Sequence, residues 1–377
     1  MTILFLDQFS DLGGAQQVLL EFLPAIRQRG WHALVGLPGD GPLFTAVRAL
    51  GIETARIDCG PYSSGQKSAA DLGRFVAGTP RLAHQIRALA RRAGAQIIYL
   101  NGPRLVPAAA LAGLDHPVVF HSHSYLAHGI TRRFTGAALR KMNARVIAAC
   151  AFVAEPWRRY VDAARIRVIY NGVAGPAQAP KRSTGNAPRI GCIGRLAPEK
   201  GQLDFVAAAS LIHRALPGAR FVIHGAALFH NAASGRYEAR VRRAAAGLPV
   251  EFAGWTADVH SAMASLDLLL VPSARLEATT RVILESFAAG LPVIAFRSGG
   301  IPEVVEHGIN GLLVDSAEEM ARESIRLLTA GSALAGAISR AARDTWERRF
   351  TIARFHDEIA RVLISIHPTS AGMRNAG

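Results

Sequence analysis

The chain has 377 residues, half of them apolar, and carries a formal net charge of +15. A chain of this length can form two domains, each with its own hydrophobic core. Its three cysteines include no C-x-x-C pair, so neither a disulfide framework nor a cysteine-bound metal is expected. The apolar start at residues 3–6 is too short for a signal peptide, and no apolar run reaches the ~18 residues of a membrane helix. We therefore expect a cytoplasmic protein, either soluble or peripheral on the inner face of the membrane.

The excess of positive charge is concentrated in the first half of the chain. Residues 1–172 contain 20 Lys and Arg against 10 Asp and Glu, whereas the remainder contains 23 against 18. One interpretation is a surface for anionic lipid or an acidic acceptor, and the alternative is ordinary solvated helix faces. No nucleic-acid-binding motif accompanies the charge, so a nucleic-acid partner is not expected. Basic residues on predicted helices of this half include Arg81, Arg87, Arg91, Arg92, Arg132, Arg133, Arg140, Lys141 and Arg145.

Short apolar runs alternate with amphipathic segments along the whole chain, a pattern typical of a parallel α/β fold. In the first half we predict strands at 2–7, 33–37, 96–100, 117–124, 146–150 and 166–170, and helices after residue 14, at 43–50 and at 68–93. Gly13 and Gly14 lie at the first strand-to-helix turn. Because glycine has no Cβ, a ligand can approach the backbone closely there. A tight turn without a ligand is the alternative.

Two histidines, His121 and His123, end the predicted strand at 117–124. Side chains alternate along a strand, so both point to the same side, and His123 lies nearer the carboxyl edge of the sheet. A histidine at that edge can contact a sugar or take part in proton handling. A purely structural role is the alternative for both residues.

A segment rich in proline, glycine and small polar residues at 174–188 predicts a domain linker. We therefore expect an N-terminal domain at 1–173 and a C-terminal domain at 189–345. A helix at 346–366 would pack back on the body, and 367–377 would form a disordered tail. The economical architecture is two doubly wound, Rossmann-like parallel-sheet domains that face each other across a cleft.

Two cations and two carboxylates follow predicted strands of the second half, which lie at 189–193, 221–224, 250–252, 266–271 and 293–296. Arg195 and Lys200 flank a glycine-containing turn, Glu277 lies in a loop, and Glu285 lies on a helix that Thr279 or Thr280 can cap. Cations stabilise a phosphate, and carboxylates accept hydrogen bonds from paired hydroxyl groups. Together these residues suit a sugar attached to a phosphate. The sequence contains no Asp-x-Asp motif, so a divalent metal is not expected.

Five segments of the second half carry a resemblance to a known family. They are the run GRLAPEKG at 194–201, the Glu277 and Glu285 pair, and the segments 289–295, 298–305 and 308–314. Gly13-Gly14 and Asn171-Gly172-Val173 match family positions in the first half. Together they resemble the family-4 retaining glycosyltransferases of GT-B architecture.

The resemblance implies a UDP- or GDP-sugar donor bound mainly by the second domain. The first domain would bind the acceptor, which would be a glycan, a lipid-linked saccharide or a small molecule. The implied reaction is hexosyl transfer with retention at the anomeric carbon, by same-face attack assisted by the leaving diphosphate, without a metal ion or another cofactor.

Matched position by position, the resemblance also implies roles for the charged residues. Arg195 and Lys200 would hold the diphosphate, Glu285 the ribose and Glu277 the hydroxyls of the transferred sugar. The residues expected to line the sugar and phosphates with their backbone are Gly13, Gly14, Ala278, Thr279, Thr280 and Arg281.

His123 best matches the active-site histidine of the family, and His121 is the alternative. The catalytic set implied by the resemblance is thus His123, Glu277, Arg195 and Lys200. Trp255 falls where the family places residues near the nucleotide base, and a packed aromatic is the alternative.

At two places the sequence departs from the family pattern, and the roles implied by the resemblance are less secure there. Residues 278–281 replace a common glycine and aromatic after the first glutamate, and Gln16 stands where an acidic residue is frequent. Donor choice is the expectation most affected. Two other functions therefore stay open, a nucleotide-sugar epimerase or hydrolase on the same fold and a non-catalytic basic binding protein.

Overall fold

The computed structural model of the chain describes residues 1–60, 69–179, 187–227, 232–256, 258–274, 276–329 and 332–367. The chain divides into two compact units. One comprises Met1–Tyr170 together with the chain from Phe355 onward, and the other is Asn171–Arg354. Within the described ranges no helix is both long and apolar enough to cross a membrane.

The first unit is a seven-stranded parallel sheet with the order β3-β2-β1-β4-β5-β6-β7. Residues 3–6 of its central strand are fully buried, because helices cover both faces of a doubly wound sheet. The strands are β1 (Thr2–Asp7), β2 (His32–Leu37), β3 (Glu53–Arg56), β4 (Ile97–Asn101), β5 (Val118–Ser122), β6 (Arg145–Ala148) and β7 (Ile166–Val168). The helices are α1 (Gly14–Gln28), α2 (Pro42–Ala49), α3 (Ala69–Ala93), α4 (Val106–Ala112), α5 (Gly129–Lys141) and α6 (Ala151–Ala154).

The second unit repeats this architecture with six parallel strands in the order β10-β9-β8-β11-β12-β13. The strands are β8 (Arg189–Ile193), β9 (Arg220–His224), β10 (Val250–Gly254), β11 (Leu268–Val271), β12 (Val293–Phe296) and β13 (Leu312–Val314). The helices are α7 (Gln202–Ala215), α8 (Ala232–Ala244), α9 (Val259–Ala264), α10 (Arg281–Ala288), α11 (Ala317–Thr329) and α12 (Ser332–Arg349). A last helix, α13 (Ile352–Ile366), follows α12.

In both sheets the chain order reverses beside the first strand of the unit. β1 lies between β2 and β4, and β8 lies between β9 and β11. Connections on the two sides of such a point lead to opposite faces of the sheet, which leaves a crevice at the carboxyl ends of the two central strands. The loops after β1 and β4 meet at one reversal point, and the loops after β8 and β11 meet at the other.

The doubly wound fold predicted from the sequence is confirmed in both units, but the edge strands β3 and β13 were not predicted. β3 buries only Ala55 and is otherwise polar, and β13 is three residues long. Such short segments carry too little periodicity to be distinguished from loops. Each lies at an edge of its sheet and pairs with one neighbouring strand only.

The segment predicted as one helix from residue 346 belongs to two helices. α12 ends at Arg349, Thr351 pairs with Val173 in an isolated β-bridge, and α13 begins at Ile352. The Val173 amide donates to the carbonyl of Phe350 at 2.9 Å, which ties the break to the first residues of the second unit. The linker predicted at 174–188 includes residues 180–186, and the predicted tail includes 368–377. Both of these stretches lie outside the described residues.

α13 completes the core of the first unit through Phe355. Its ring lies 6.4 Å from that of Phe22 and 6.4 Å from that of His121, and it is almost fully buried. We expect Phe355→Ala to lower the free energy of unfolding by about 3–5 kcal/mol, because the truncation leaves a cavity. Urea denaturation checks this value. Ile364→Ala, on the exposed side of the same helix, is the control and should change it by no more than about 0.5 kcal/mol. Equal effects of the two variants would contradict this account.

Candidate active site

The turn after β8 carries Arg195 and Lys200 and packs on the backbone of the loop after β11. Gly201, at φ +68°, closes the turn, and a Cβ there would lie 2.0 Å from the carbonyl oxygen of Pro272. The Ala274 amide also donates to the carbonyl of Glu199 at 3.1 Å. Glycine is therefore required at 201, because any side chain would push the two loops apart.

A buried glutamine fixes the conformation of the same turn. Gln202 is fully buried at the start of α7, and its Nε2 donates to the carbonyl of Arg195 at 2.8 Å. Its Oε1 accepts from the Ala197 amide at 3.4 Å. Sequence reasoning missed this residue, although a polar side chain next to the glycine that ends a site turn was the available signal.

The charged residues predicted for the donor site form acid–base pairs. Lys200 Nζ donates to Glu277 Oε2 at 2.7 Å, with the side chains 22% and 16% exposed. Arg281 pairs with Glu285 at 3.3 Å, and Arg195 pairs with Glu199. The structure thus brings Lys200 and Glu277 together across two neighbouring loops, as the reversal of strand order requires. Across the described residues, no three His, Cys, Asp or Glu side chains are grouped as metal ligands would be.

Two glycines after β12, Gly299 and Gly300, contact the backbone of the loop that carries Glu277. The Gly300 amide donates to the carbonyl of Glu277 at 3.0 Å. Gly299 has φ +53°, and a Cβ there would lie 1.8 Å from that same carbonyl oxygen. The glycine-rich turn at 298–300 therefore has a structural reason of its own, since it lets the backbone of this turn approach that of Glu277.

Trp255 lies directly after β10 and exposes 53% of its surface. The alternative interpretation as a packed aromatic is therefore wrong. An exposed indole offers a flat apolar face to a ligand, so a place beside the nucleotide base stays a prediction for this residue.

The first unit places a buried polar network below His123. Asn101 Nδ2 donates to Asp7 Oδ2 and to the carbonyl of Ala15, so its Oδ1 faces His123 Nε2 at 2.7 Å. Both acceptors around Nδ2 fix the amide orientation, and His123 must therefore carry its proton on Nε2. Gln16 Nε2 also donates to Asp7 at 2.9 Å, which gives Gln16 a structural partner in place of a ligand contact.

His121 is buried, and its environment suits a structural role. Its Nδ1 lies 2.7 Å from the Tyr99 hydroxyl, and its ring centroid lies 3.8 Å from that of His123, on the same side as predicted. Burial and the neighbouring His123 hold the pKa of His121 well below its usual value, and burial raises the pKa of Tyr99. Tyr99 therefore donates to a neutral imidazole. His123, partly exposed just beyond β5, is the better placed of the two to meet a ligand.

Gly13 and Gly14 differ in what they do for the fold. Gly13 is the N-cap of α1, with φ −109°, and a Cβ there would meet the side chain of Gln16 at 2.9 Å. A Cβ on Gly14 would meet nothing within 4 Å. Gly14 is exposed at the helix N-terminus, where backbone amides lack intrahelical acceptors. Neither steric crowding nor a left-handed backbone explains glycine at 14, and an approaching anion would.

Two family models match the chain. The model for Glycosyltransferase Family 4 matches residues 12–174, and the model for Glycosyl transferases group 1 matches residues 187–330. The chain belongs to glycosyltransferase family 4. The family predicted from the sequence motifs is thereby confirmed.

Two relatives of this family-4 glycosyltransferase share one name, GDP-mannose-dependent alpha-(1-6)-phosphatidylinositol monomannoside mannosyltransferase. The protein of Mycobacterium tuberculosis is 37% identical over 157 residues, which cover 38% of this chain and 38% of that protein. The protein of Mycolicibacterium smegmatis is 29% identical over 295 residues, which cover 71% of this chain and 70% of that protein. The chain thus matches less than half the length of the M. tuberculosis relative.

A solved structure extends the likeness to almost the whole chain. The Anabaena protein HepE in complex with UDP-glucose superposes with a TM-score of 0.80 at 26% identity, covering 97% of this chain and 100% of that one. The predicted GT-B fold is therefore confirmed.

The departure from the family pattern at 278–281 has a distinct local structure. Thr280 occupies the N-cap position of α10 at φ +22° and makes no side-chain cap hydrogen bond, and Thr279 is buried. A β-branched residue at positive φ is strained, and such strain clusters at ligand-binding segments. In this family-4 chain the segment therefore combines a strained backbone at Thr280 with a buried Thr279 and the Arg281–Glu285 ion pair.

Gly299 provides a test of how the Glu277 loop is held. We expect Gly299→Ala to lower the free energy of unfolding by about 1–2 kcal/mol for a non-glycine residue at positive φ. The clash with the Glu277 carbonyl should add a further cost of about 1–3 kcal/mol. Gly247→Ala is the matched control, since Gly247 has φ +80° and open space around its Cβ. Urea denaturation of both variants isolates the clash, and equal losses would show that Gly299 does not support Glu277.

Asp7 provides a test of the network below His123. Burial raises the pKa of Asp7 to about 6, against 3.8 in an unfolded chain, and hydrogen bonds from Asn101, Phe9 and Gln16 offset this only in part. Since the raised pKa favours the protonated folded state, its stabilising effect is complete below pH ~3.8 and is lost as the pH rises through about 6. The total is about 3 kcal/mol.

We therefore expect the difference in unfolding free energy between wild type and Asp7→Asn to fall by up to about 3 kcal/mol between pH 4 and pH 7. Urea denaturation at several pH values measures it. Loss of the hydrogen bonds is a pH-independent offset, and other titrating groups cancel because both proteins contain them. The exposed Asp11→Asn makes the same chemical change in the loop that follows Asp7 and is the control. A flat difference for Asp7→Asn would contradict the assignment.

Proposed function

We propose that the protein transfers a hexose from a UDP- or GDP-sugar to a saccharide acceptor, with retention at the anomeric carbon. The observation that carries this proposal is the paired set of Lys200 with Glu277 and Arg281 with Glu285 beside the β8 and β11 reversal point. A diphosphate sugar needs cations for its phosphates and carboxylates for its hydroxyl groups, and this crevice offers both.

Arg195 and Lys200 bind the diphosphate in the proposed complex. One cation about 4 Å from a phosphate oxygen gains about 4 kcal/mol at an effective dielectric of about 20, whereas a helix N-terminus contributes about 0.3–1 kcal/mol. The side chains therefore dominate diphosphate binding, and the amides of 278–281 add direction. Glu285 binds the ribose, Glu277 binds hydroxyls of the transferred sugar, and Trp255 lies beside the base.

The transfer step breaks the bond between the anomeric carbon and a diphosphate oxygen. The acceptor hydroxyl forms the new bond on the same face, and its proton passes to the leaving diphosphate. Arg195 and Lys200 stabilise the negative charge that develops on that leaving group. No protein nucleophile is required. His123 contacts the sugar or the acceptor, with its Nε2 proton held by Asn101.

We propose a lipid-linked saccharide as the acceptor, bound by the first unit. The mannosyltransferases of M. tuberculosis and M. smegmatis, by their names, act on a phosphatidylinositol monomannoside, which supports this class. HepE was solved with UDP-glucose, and the two mannosyltransferases are named for GDP-mannose, so both nucleotides belong in the test.

Purified protein incubated with UDP-glucose or GDP-mannose, with and without lipid-linked saccharides, tests the function. We expect release of nucleoside diphosphate that depends on both one donor and one acceptor, together with an α-linked product detected by mass spectrometry and NMR. Diphosphate release that no acceptor changes would favour a hydrolase. Interconversion of the donor sugar would identify an epimerase.

In the same assay we expect Lys200→Ala to lower kcat/KM by about 10²–10³-fold, because it removes a cation from the developing charge. Arg322→Ala is the matched control. This arginine is exposed on α11, and its substitution removes one positive charge from the same unit. It should stay within about twofold of wild type. Near-normal kcat/KM for Lys200→Ala would contradict its assignment.

Glu277→Gln should weaken turnover of the sugar more than binding of the free nucleotide.

A further inference from the structure

The exposed face of α5 combines large apolar side chains with cations. Ile130 and Phe134 lie one turn apart and are 64% and 70% exposed. Arg133, Arg140 and Lys141 are exposed too, and at 100° per residue all five fall within an arc of about 120°. The opposite side of the helix is buried through Thr135, Gly136 and Leu139. We refer to Ile130, Arg133, Phe134, Arg140 and Lys141 as the α5 face.

The cations of the α5 face differ from those on α3, the other basic helix of this unit. Arg81 pairs with Asp58, Arg92 pairs with Glu53, and Arg87 donates to the carbonyl of Ala112. In the described part of the chain, no acidic side chain lies within 4 Å of the Arg133, Arg140 or Lys141 head groups. Three arginines of α3, Arg74, Arg81 and Arg92, therefore lie beside carboxylates, whereas the three cations of the α5 face do not.

We propose that the α5 face docks the protein on an anionic lipid bilayer. Phenylalanine and isoleucine can insert at the boundary of the acyl chains, while arginine and lysine beside them contact lipid phosphates, the arrangement of a helix that lies in the membrane interface. Two apolar side chains are too few for the core of a stable protein interface, which needs about 800 Å² from each partner. Together with three cations that have no carboxylate beside them, these two side chains suffice for reversible attachment to a charged membrane.

The position of α5 in the chain gives this docking a consequence. α5 begins at Gly129, six residues after His123, so the helix and the histidine are joined by one short loop. Attachment through α5 holds His123 close to the lipid surface. A saccharide anchored in that surface would then meet the first unit without leaving the membrane. Docking itself needs neither donor nor acceptor, so its test is independent of the proposed function.

Co-sedimentation with vesicles tests the proposal. One set of vesicles is phosphatidylcholine alone, and the other contains about 30 mol% phosphatidylglycerol. We expect the wild-type protein to bind the anionic vesicles at least about tenfold more strongly, and less so at high salt. Ile130→Ser/Phe134→Ser should weaken this binding about tenfold or more. Arg133→Gln/Arg140→Gln/Lys141→Gln should abolish the preference for anionic lipid.

Leu72→Ser/Val76→Ser is the matched control, because these α3 residues have the same spacing and similar exposure, 62% and 63%. It should bind vesicles as the wild type does, and circular dichroism should show all variants folded. Three results would overturn the proposal: equal binding to both vesicle types, equal loss in the control, or no loss in the α5 variants. Light scattering that shows an oligomer dispersed by Ile130→Ser/Phe134→Ser would likewise overturn it, since a second copy would then be the partner.

Discussion

The reversal of strand order at β1 and β4, and again at β8 and β11, is the constraint on which the candidate site residues of each unit depend. Parallel pairing brings the carboxyl ends of each pair to one edge, and Asp7 therefore stands opposite Asn101 in register. In the second unit the same geometry brings the Lys200 turn against the Glu277 loop. Residues up to 96 positions apart thus meet without any long-range motif between them.

Backbone packing and ion pairing support the candidate donor site of the second unit in different ways. Gly201 and Gly299 allow backbones to touch, and Gln202 fixes the turn that carries Arg195. The functional side chains are not rigid in the same sense, because Lys200 and Arg281 are held by the carboxylates beside them. If a diphosphate binds as proposed, its oxygens compete with Glu277 for Lys200. The carboxylate released in this way becomes available to sugar hydroxyls, so phosphate binding prepares sugar binding.

The sequence predicted the fold because buried parallel strands are continuous apolar runs. Its charged candidates Arg195, Lys200 and Glu277 lie in the segments that follow two of those runs, and their roles stay predictions. It did not predict Asn101 or Gln202, since the function of each depends on a partner brought near by folding. The break between α12 and α13 was equally invisible, because the hydrophobic spacing continues through it. Hydrophobic spacing predicts that one face of a segment is buried. It does not predict against which unit that face packs.

Charge count alone could not separate the two basic helices of the first unit either. The arginines of α3 and α5 look alike in sequence, but the acidic partners of α3 come from β3 and the segment after it, which lie beside it only in the folded sheet. Paired surface cations contribute little field, because a nearby carboxylate cancels them at short range. The net charge that a membrane or an acidic ligand meets is therefore set by what folding leaves unpaired. On α5 these unpaired cations lie beside Ile130 and Phe134, the two most exposed large apolar side chains in the described part of the chain.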